Sequence, residues 1–368
     1  YGVKPDKDSR LPDKESLSIA VDIGSTTLVM ALVYTDSGKI VTEYRGLNHQ
    51  RSYGTDVMAR IKAAVEDGQE QAMQALIRQD LAEGIVSLLK SSDAPIEQIV
   101  IAGNTTMLHL LRGYDCRGLS AWPFQPVNLD FEELSTAELL GESLLVENCL
   151  LKETKVTLIA GISAFVGADI TAGLWGCGIA GNEKPRLFLD LGTNAEMAVG
   201  NKEGMLVSSA AAGPAFEGGD ISCGMRATDG AIEACTIDKE TMEPTYKVVG
   251  DPGTKPVGLC GSGIIDVISE LFMTGIINPK GKFVREGKRV RHDQYGMGSY
   301  VIAFEDEAGS VKDVEITEVD IDNFIRAKGA IFSAIRTMLN SLDFDVSMID
   351  DVYVAGGIGS GINMANAV

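Results

Sequence analysis

The sequence predicts an α/β fold built twice, as two lobes whose mixed sheets are flanked by helices, with a cleft between the halves. Two repeated patterns, and helix-forming stretches set between them, lead to this reading. In the first, residues 18–45 (SIAVDIGSTTLVMALVYTDSGKIVTEYR) begin with an apolar run that ends at Asp22-Ile23-Gly24. Small hydroxyl residues follow, then a second apolar run, the turn Asp36-Ser37-Gly38 and an alternating strand. Residues 186–209 (RLFLDLGTNAEMAVGNKEGMLVSS) repeat that order, with Asp190-Leu191-Gly192, Thr193-Asn194 and a turn at 201–204. The span from Asp to turn glycine is 16 residues in one copy and 14 in the other. In the second pattern, IEQIVIAGNTTM (96–107) matches IDDVYVAGGIGS (349–360): a polar lead-in, a short apolar strand, Ala-Gly and a turn of small residues.

Taken in order, residues 1–16 are polar and predict a linker, cut from something longer, with no apolar run of the kind a secretion signal needs. The first lobe then spans 17–183 and the second 184–368. Within the first, 55–90 has good helix formers and apolar residues at helical spacing. WPFQP (122–126) and the 213–230 region predict loops, and 280–318, rich in charge, predicts exposed hairpins. Ile321, Phe324, Ile325, Ile331, Ile335 and Leu339 make the apolar stripe of a helix over 320–341.

Composition excludes several functions. The 368 residues carry 32 Lys+Arg against 52 Asp+Glu, a net charge of −20, and no local basic patch. Such a surface repels phosphate backbones and anionic lipid, so neither nucleic acid nor a membrane is an expected partner. With 45% hydrophobic residues the chain can build cores, and its length suits two domains. The six cysteines are dispersed, the closest pair being Cys223 and Cys235, so no short loop presents two sulfurs to one zinc or iron–sulfur centre. They read as separate buried thiols in a reducing, cytoplasmic compartment. The stretch 158–181 is nearly long enough to span a membrane, but its glycines and central Asp169 argue for a buried helix instead.

The chemistry lies in the repeats. A strand ending in Asp-x-Gly-Ser/Thr suits a nucleotide phosphate: glycine lets backbone N–H groups approach, the hydroxyls add donors, and the carboxylate can hold Mg²⁺ directly or through water. One copy is an ordinary turn motif, but two copies, each ending a buried strand, put a carboxylate on each side of the cleft. VYVAGGIGSG (352–361) offers a glycine turn for a flat ligand such as adenosine. It fails the dinucleotide fingerprint because position 362 is Ile, and no phosphate loop of the G-x-x-x-x-G-K-[ST] type occurs.

These motifs, in this order, resemble the phosphate-1 (19–33), phosphate-2 (187–200) and adenosine (352–361) motifs of the actin, sugar-kinase and heat-shock-chaperone ATPases. The resemblance implies the duplicated actin-like, ribonuclease H-like fold, with connecting helices at 161–174 and 323–339. GNTTMLHLL (103–111), AAGPAFEGGDISCGM (211–225), GLCGSGIID (258–266) and VAGGIGSG resemble one family more closely, the C-terminal ATPase region of reductive activators of corrinoid proteins. That resemblance implies a metallochaperone-like ATPase. It would use ATP and Mg²⁺ to help return a corrinoid methyl-transfer protein from Co(II) to Co(I), and it would be a homodimer. It implies a 2Fe–2S cluster only in an N-terminal domain outside this sequence, since no matching cysteine spacing is present here.

By motif position, Asp22 and Asp190 are the expected Mg²⁺ ligands. Gly24, Ser25, Thr26 and Thr27 with Gly192, Thr193 and Asn194 would bind phosphates, and Gly356, Gly357, Gly359 and Ser360 would line adenosine. Asp169 sits where related ATPases orient the attacking water; its apolar neighbours would raise its pKa. A buried structural role for it stays open. Asn104, Glu217, Gly261 and Ser262 lie in glycine-rich turns suited to lining a ligand. His49 and His292 read as solvated and His109 as packed, while Trp122 and Trp175 are undecided. Other readings are a small-molecule, sugar-like kinase, which needs a carboxylate base that the sequence does not single out beyond offering Asp56 and Asp115; a nucleotide-gated scaffold; and an activator of radical dehydratases, against which the wide cysteine spacing argues.

Overall fold

A computed structural model describes residues 16–92, 94–147, 152–192, 194–213, 215, 218–356, 363 and 366. The chain divides into two compact units between Gly173 and Leu174.

The first unit holds β1 (Leu17–Ile23), β2 (Thr27–Tyr34), β3 (Ile40–Leu47), α1 (Val57–Val65), α2 (Glu70–Leu89), β4 (Ile96–Gly103) and α3 (Thr105–Arg112). After these come α4 (Arg117–Ser120), β5 (Glu132–Ser135), α5 (Thr136–Leu140), α6 (Glu142–Glu147), β6 (Lys155–Leu158) and α7 (Ala168–Gly176), which runs across the division. Its sheet has the order β3-β2-β1-β4-β6-β5. The hairpins β1-β2 and β2-β3 are antiparallel, while β1, β4 and β6 run parallel. Parallel neighbours need a crossover, supplied between β3 and β4 by α1 and α2. Alternation sets which side chains meet the core: along β1, Leu17, Ile19, Val21 and Ile23 are buried, whereas Ala20 and Asp22 are exposed. Met73, Ile77 and Leu81 of α2 close over that face, each burial contributing about 1.5–3 kcal/mol.

The second unit repeats the scheme. It holds β7 (Arg186–Leu191), β8 (Ala195–Asn201), β9 (Gly204–Ala210), β10 (Ala231–Ile237), β11 (Pro244–Val248), β12 (Gly258–Leu259) and α8 (Gly261–Met273). Beyond α8 lie β13 (Val290–His292), β14 (Gly298–Ala303), β15 (Val314–Thr317), α9 (Glu318–Ser341) and β16 (Asp351–Ala355). The main sheet, β16-β7-β8-β9, matches β4-β1-β2-β3 of the first unit strand for strand, with β16 parallel to β7 as β4 is to β1. Two three-stranded sheets, β11-β10-β12 and β13-β14-β15, come between β9 and α9. α9 starts with a capping box, the Thr317 side chain accepting from the Asp320 N–H while the Asp320 carboxylate accepts from the Thr317 N–H.

Several expectations need correction. The segment 55–90 is helical as expected, in two helices parted where the chain turns at Gly68 with φ +65°, a conformation that favours glycine. The helix expected from 161 begins at Ala168, since Ile162 and Ser163 turn back to donate to the Val166 carbonyl. In α9 the stripe holds except at Ile325, which is 39% exposed. The hairpins of 280–318 are not all exposed: Tyr300, Val301, Ile302 and Ala303 of β14 are fully buried. Charged flanks hid this short core strand. One of them, Arg289, is itself buried and donates to Glu243 (2.7 Å) and to the carbonyls of Val301 (3.2 Å) and Ile302 (3.0 Å). No described helix is long and apolar enough to cross a membrane.

Candidate functional site

In each main sheet the first strand carries an aspartate at its next-to-last residue, and an Ala-Gly pair stands at the end of the parallel strand beside it. Asp22 stands opposite Ala102 and Ile23 opposite Gly103. In the second unit Asp190 stands opposite Ala355, with Gly356 following. Asp22 is exposed between buried Val21 and Ile23, and Asp190 is half-buried. The repeat read from sequence therefore has a structural counterpart down to the residue.

Each Ala-Gly glycine lies close to the neighbouring strand. A Cβ on Gly103 would fall 2.9 Å from the Ile23 carbonyl oxygen. On Gly356, with φ +90°, it would fall 2.4 Å from the Leu191 carbonyl oxygen and 2.8 Å from Oδ1 of Asp190. Backbone and carboxylate thus share a small cradle that any side chain at 356 would fill, which suits the close approach of a nucleotide.

The turn after β1 is tight: the Gly24 N–H donates to the Thr27 carbonyl at 3.1 Å, and a Cβ on Gly24 would lie 2.7 Å from that oxygen. Beneath it lie two fully buried polar side chains, Asn48 and Arg60. Asn48 Nδ2 donates to the Gly24 carbonyl (2.9 Å), Arg60 donates to the Ser25 carbonyl, and the Asn48 N–H donates to the Thr26 carbonyl (3.0 Å). The motif reading missed both residues. The signal for Arg60 was a charge on the apolar face of α1, where Ile61, Ala63 and Ala64 are also buried.

The second turn closes through the Gly192 N–H, which donates to the Asn194 carbonyl at 2.9 Å. Gly261 and Ser262 open α8, and both are buried against β10. The Ser262 hydroxyl donates to the Glu233 carbonyl (2.8 Å), so that group is spent on packing. Thr193, Glu217, Gly357, Gly359 and Ser360 lie outside the described residues.

Asn104 and Asp169 are brought together in the first unit. Asn104 caps α3 by accepting from the Met107 N–H at 3.0 Å, and the Thr105 hydroxyl donates to the Ser163 carbonyl at 2.6 Å. Gly167 permits the meeting, because a Cβ there would sit 2.5 Å from Asn104 Cα and 2.8 Å from Asp169 Oδ1. Burial pushes the Asp169 carboxyl up from the usual carboxylate range, partly opposed by the N–H groups of Ile170 and of Asp169 itself. A partly desolvated carboxylate at a helix start can accept a proton from water, the chemistry expected of a base.

One histidine departs from the expectation. His49 is not merely solvated: its Nδ1 is 2.5 Å from buried Asp80, which also accepts from the His49 N–H, and this partner raises its pKa. His109 is packed, with Nδ1 at 2.8 Å from the Thr105 carbonyl and Nε2 accepting from the Val127 N–H. Trp122 and Trp175 are both more than four-fifths exposed. The five described cysteines are free thiols, and no cluster of three or more potential ligands capable of holding a metal exists among the described residues.

Comparison with known proteins gives matches in both halves. Residues 184–368 match the family model for the C-terminal domain of RACo, the ASKHA domain, and residues 17–182 match the RACo middle region. The chain is 34% identical over 367 residues to the corrinoid activation enzyme RamQ of Eubacterium limosum, covering 96% of this chain and 60% of that protein. It is 25% identical over 384 residues to a Co(II) methylated amine-specific corrinoid protein reductase of Methanosarcina barkeri, covering 95% of this chain and 64% of that one. A solved reductive activator for corrinoid, iron–sulfur protein superposes with a TM-score of 0.81 at 37% identity, over 98% of this chain and 56% of the other. The chain thus spans less than two thirds of the length of each.

Proposed function

We propose, from the premise that this chain belongs to the RACo family whose ASKHA domain and middle region it carries, that it is the ATPase part of a reductive activator of a corrinoid methyl-transfer protein. The observation that carries this reading is the paired geometry of Asp22 beside Ala102-Gly103 and Asp190 beside Ala355-Gly356. In this reading the two lobes are 17–183 and 184–368.

Asp22 and Asp190 would hold Mg²⁺, directly or through water, as hard oxygen donors. The N–H groups and hydroxyls of Gly24–Thr27, with Gly192, Thr193 and Asn194, would take phosphate oxygens. Gly356, Gly357, Gly359 and Ser360 would face adenosine, with Asn104 and Glu217 as further lining. Bound there, MgATP supplies the free energy of phosphoanhydride hydrolysis. Asp169 receives the proton of the attacking water, its raised pKa bringing it nearer to neutral pH.

The corrinoid cobalt is the substrate and stays on the partner protein. Reduction of Co(II) to Co(I) takes one electron, which a 2Fe–2S domain outside this sequence would deliver. The chain's share is to couple nucleotide turnover to a change in the partner that makes that transfer favourable. A cytoplasmic homodimer is part of this proposal, and sedimentation of the purified chain checks the assembly.

The test is phosphate release from MgATP, measured with and without a Co(II)-state corrinoid methyl-transfer protein and with no sugar present. A slow basal rate that rises with the corrinoid protein is the expected result. Turnover that requires a sugar acceptor would replace the reading with that of a small-molecule kinase.

A further inference from the structure

The turn Gly24–Thr26 has an unusual support. The carbonyls of three successive residues are all claimed from below by Asn48 and Arg60. In a trans peptide the C=O of one residue and the N–H of the next point in opposite directions. Fixing the Gly24 and Ser25 carbonyls inward therefore turns the N–H groups of Ser25 and Thr26 outward. Neither of those N–H groups, nor either hydroxyl, has an acceptor among the described residues.

The cation below is equally unusual. Arg60 is fully buried, yet forms no ion pair among the described residues. Its remaining donors go to the Gly54 carbonyl (3.0 Å) and the Met107 sulfur (3.1 Å). Desolvation lowers its pKa to about 10, with Asp56 opposing and Arg51 adding to the effect, so the guanidinium stays charged at neutral pH. A buried cation held by carbonyl and sulfur acceptors, with no carboxylate in direct contact among the described residues, keeps a positive field that an anion at the turn above it would feel.

We propose that Asn48 and Arg60 are positioning residues that hold the Gly24–Thr26 turn with its N–H groups outward and its field positive, so that it accepts the phosphates of a nucleotide. This rests on the reading that the turn takes phosphate. Neither side chain touches the ligand: Asn48 sets the direction of the peptide planes, and Arg60 adds charge from beneath.

The experiment compares Arg60→Met and Asn48→Ala with the unsubstituted chain. It measures the affinity for MgATP and for adenosine by calorimetry, and hydrogen exchange over residues 23–29. MgATP affinity is expected to fall at least tenfold while that for adenosine changes less than twofold, and exchange over 23–29 is expected to accelerate with β4 unaffected. Equal weakening of both ligands, or unchanged exchange at 23–29, overturns the proposal. If Arg60→Met does not fold, Asn48→Ala carries the same readouts. If the unsubstituted chain binds no MgATP, the phosphate reading falls, while the exchange comparison still decides whether Asn48 and Arg60 hold the turn.

Discussion

The two main sheets begin alike and leave differently. In both, an aspartate at the end of the first strand faces the alanine of an Ala-Gly pair on a parallel neighbour. After Gly103 the chain takes an ordinary conformation, and Asn104 caps α3. After β16, Gly356 adopts φ +90°, against Asp190 itself. The turns also differ: Gly24–Thr26 rests on a buried amide and a buried guanidinium, whereas Gly192, among the described residues, closes only on the Asn194 carbonyl. Duplicated strands thus fix where a carboxylate and a glycine stand, and the residues packed behind them decide what each turn offers a ligand.

The sharpest way to break this comparison is to add a methyl group to each glycine. Gly356→Ala meets both a left-handed φ and the Leu191 oxygen, so it should cost about 1–3 kcal/mol of strain and abolish detectable MgATP binding. Gly103→Ala, free of the left-handed penalty, should lower the melting temperature less. Calorimetry and thermal melts on both variants check this, and equal losses would dissolve the distinction. The next effect in size is expected from the carboxylates: Asp22→Asn and Asp190→Asn should each weaken binding in Mg²⁺ by roughly tenfold or more, about 1.4 kcal/mol. Removing Mg²⁺ should erase the difference from the unsubstituted chain.

Two smaller effects depend on pH. Because the folded Asp169 has a raised pKa, stability is lost as pH climbs from the ordinary aspartate range through that raised value. Asp169→Asn should therefore stabilise the fold at pH 7 and not at pH 3, in melts at the two values, while phosphate release falls. The smallest change is at His49, whose raised pKa gives stabilisation that is full below its ordinary value near 6.5 and fades as pH rises through the folded one. His49→Gln should cost at most about 1 kcal/mol at pH 5.5, since the imidazole is largely exposed, and nothing at pH 9.

Much of this was legible in the sequence because strands with a strict register repeat their residue types. Asp22 and Asp190, the Ala-Gly pairs and both three-strand units could be read directly. The support of the turns could not, for Asn48 and Arg60 lie 24 and 35 residues away from their hydrogen-bond partners and belong to no motif. Tyr300–Ala303 escaped for another reason: four consecutive buried residues of one short strand, set among charges, show no alternation to see. The place of Asp169 beside Asn104 depended on Gly167, whose bare Cα lets two helix starts approach.

The position of β16 bears on how the second unit is assembled. β7 pairs with β8 across a short hairpin, but its other edge must wait for Asp351–Ala355 to meet Arg186–Asp190. In the first unit the equivalent strand β1 gains β4 much sooner. During synthesis the first sheet can therefore finish while β7 still presents an open edge, which is slow to close and open to wrong pairing. Arg186 and Lys184, paired with Asp351 and Asp350, place opposite charges at that seam and favour the correct arrival of β16. The glycine next to Asp190 is delivered by that same event, so the cradle beside this carboxylate forms only once β16 has paired with β7.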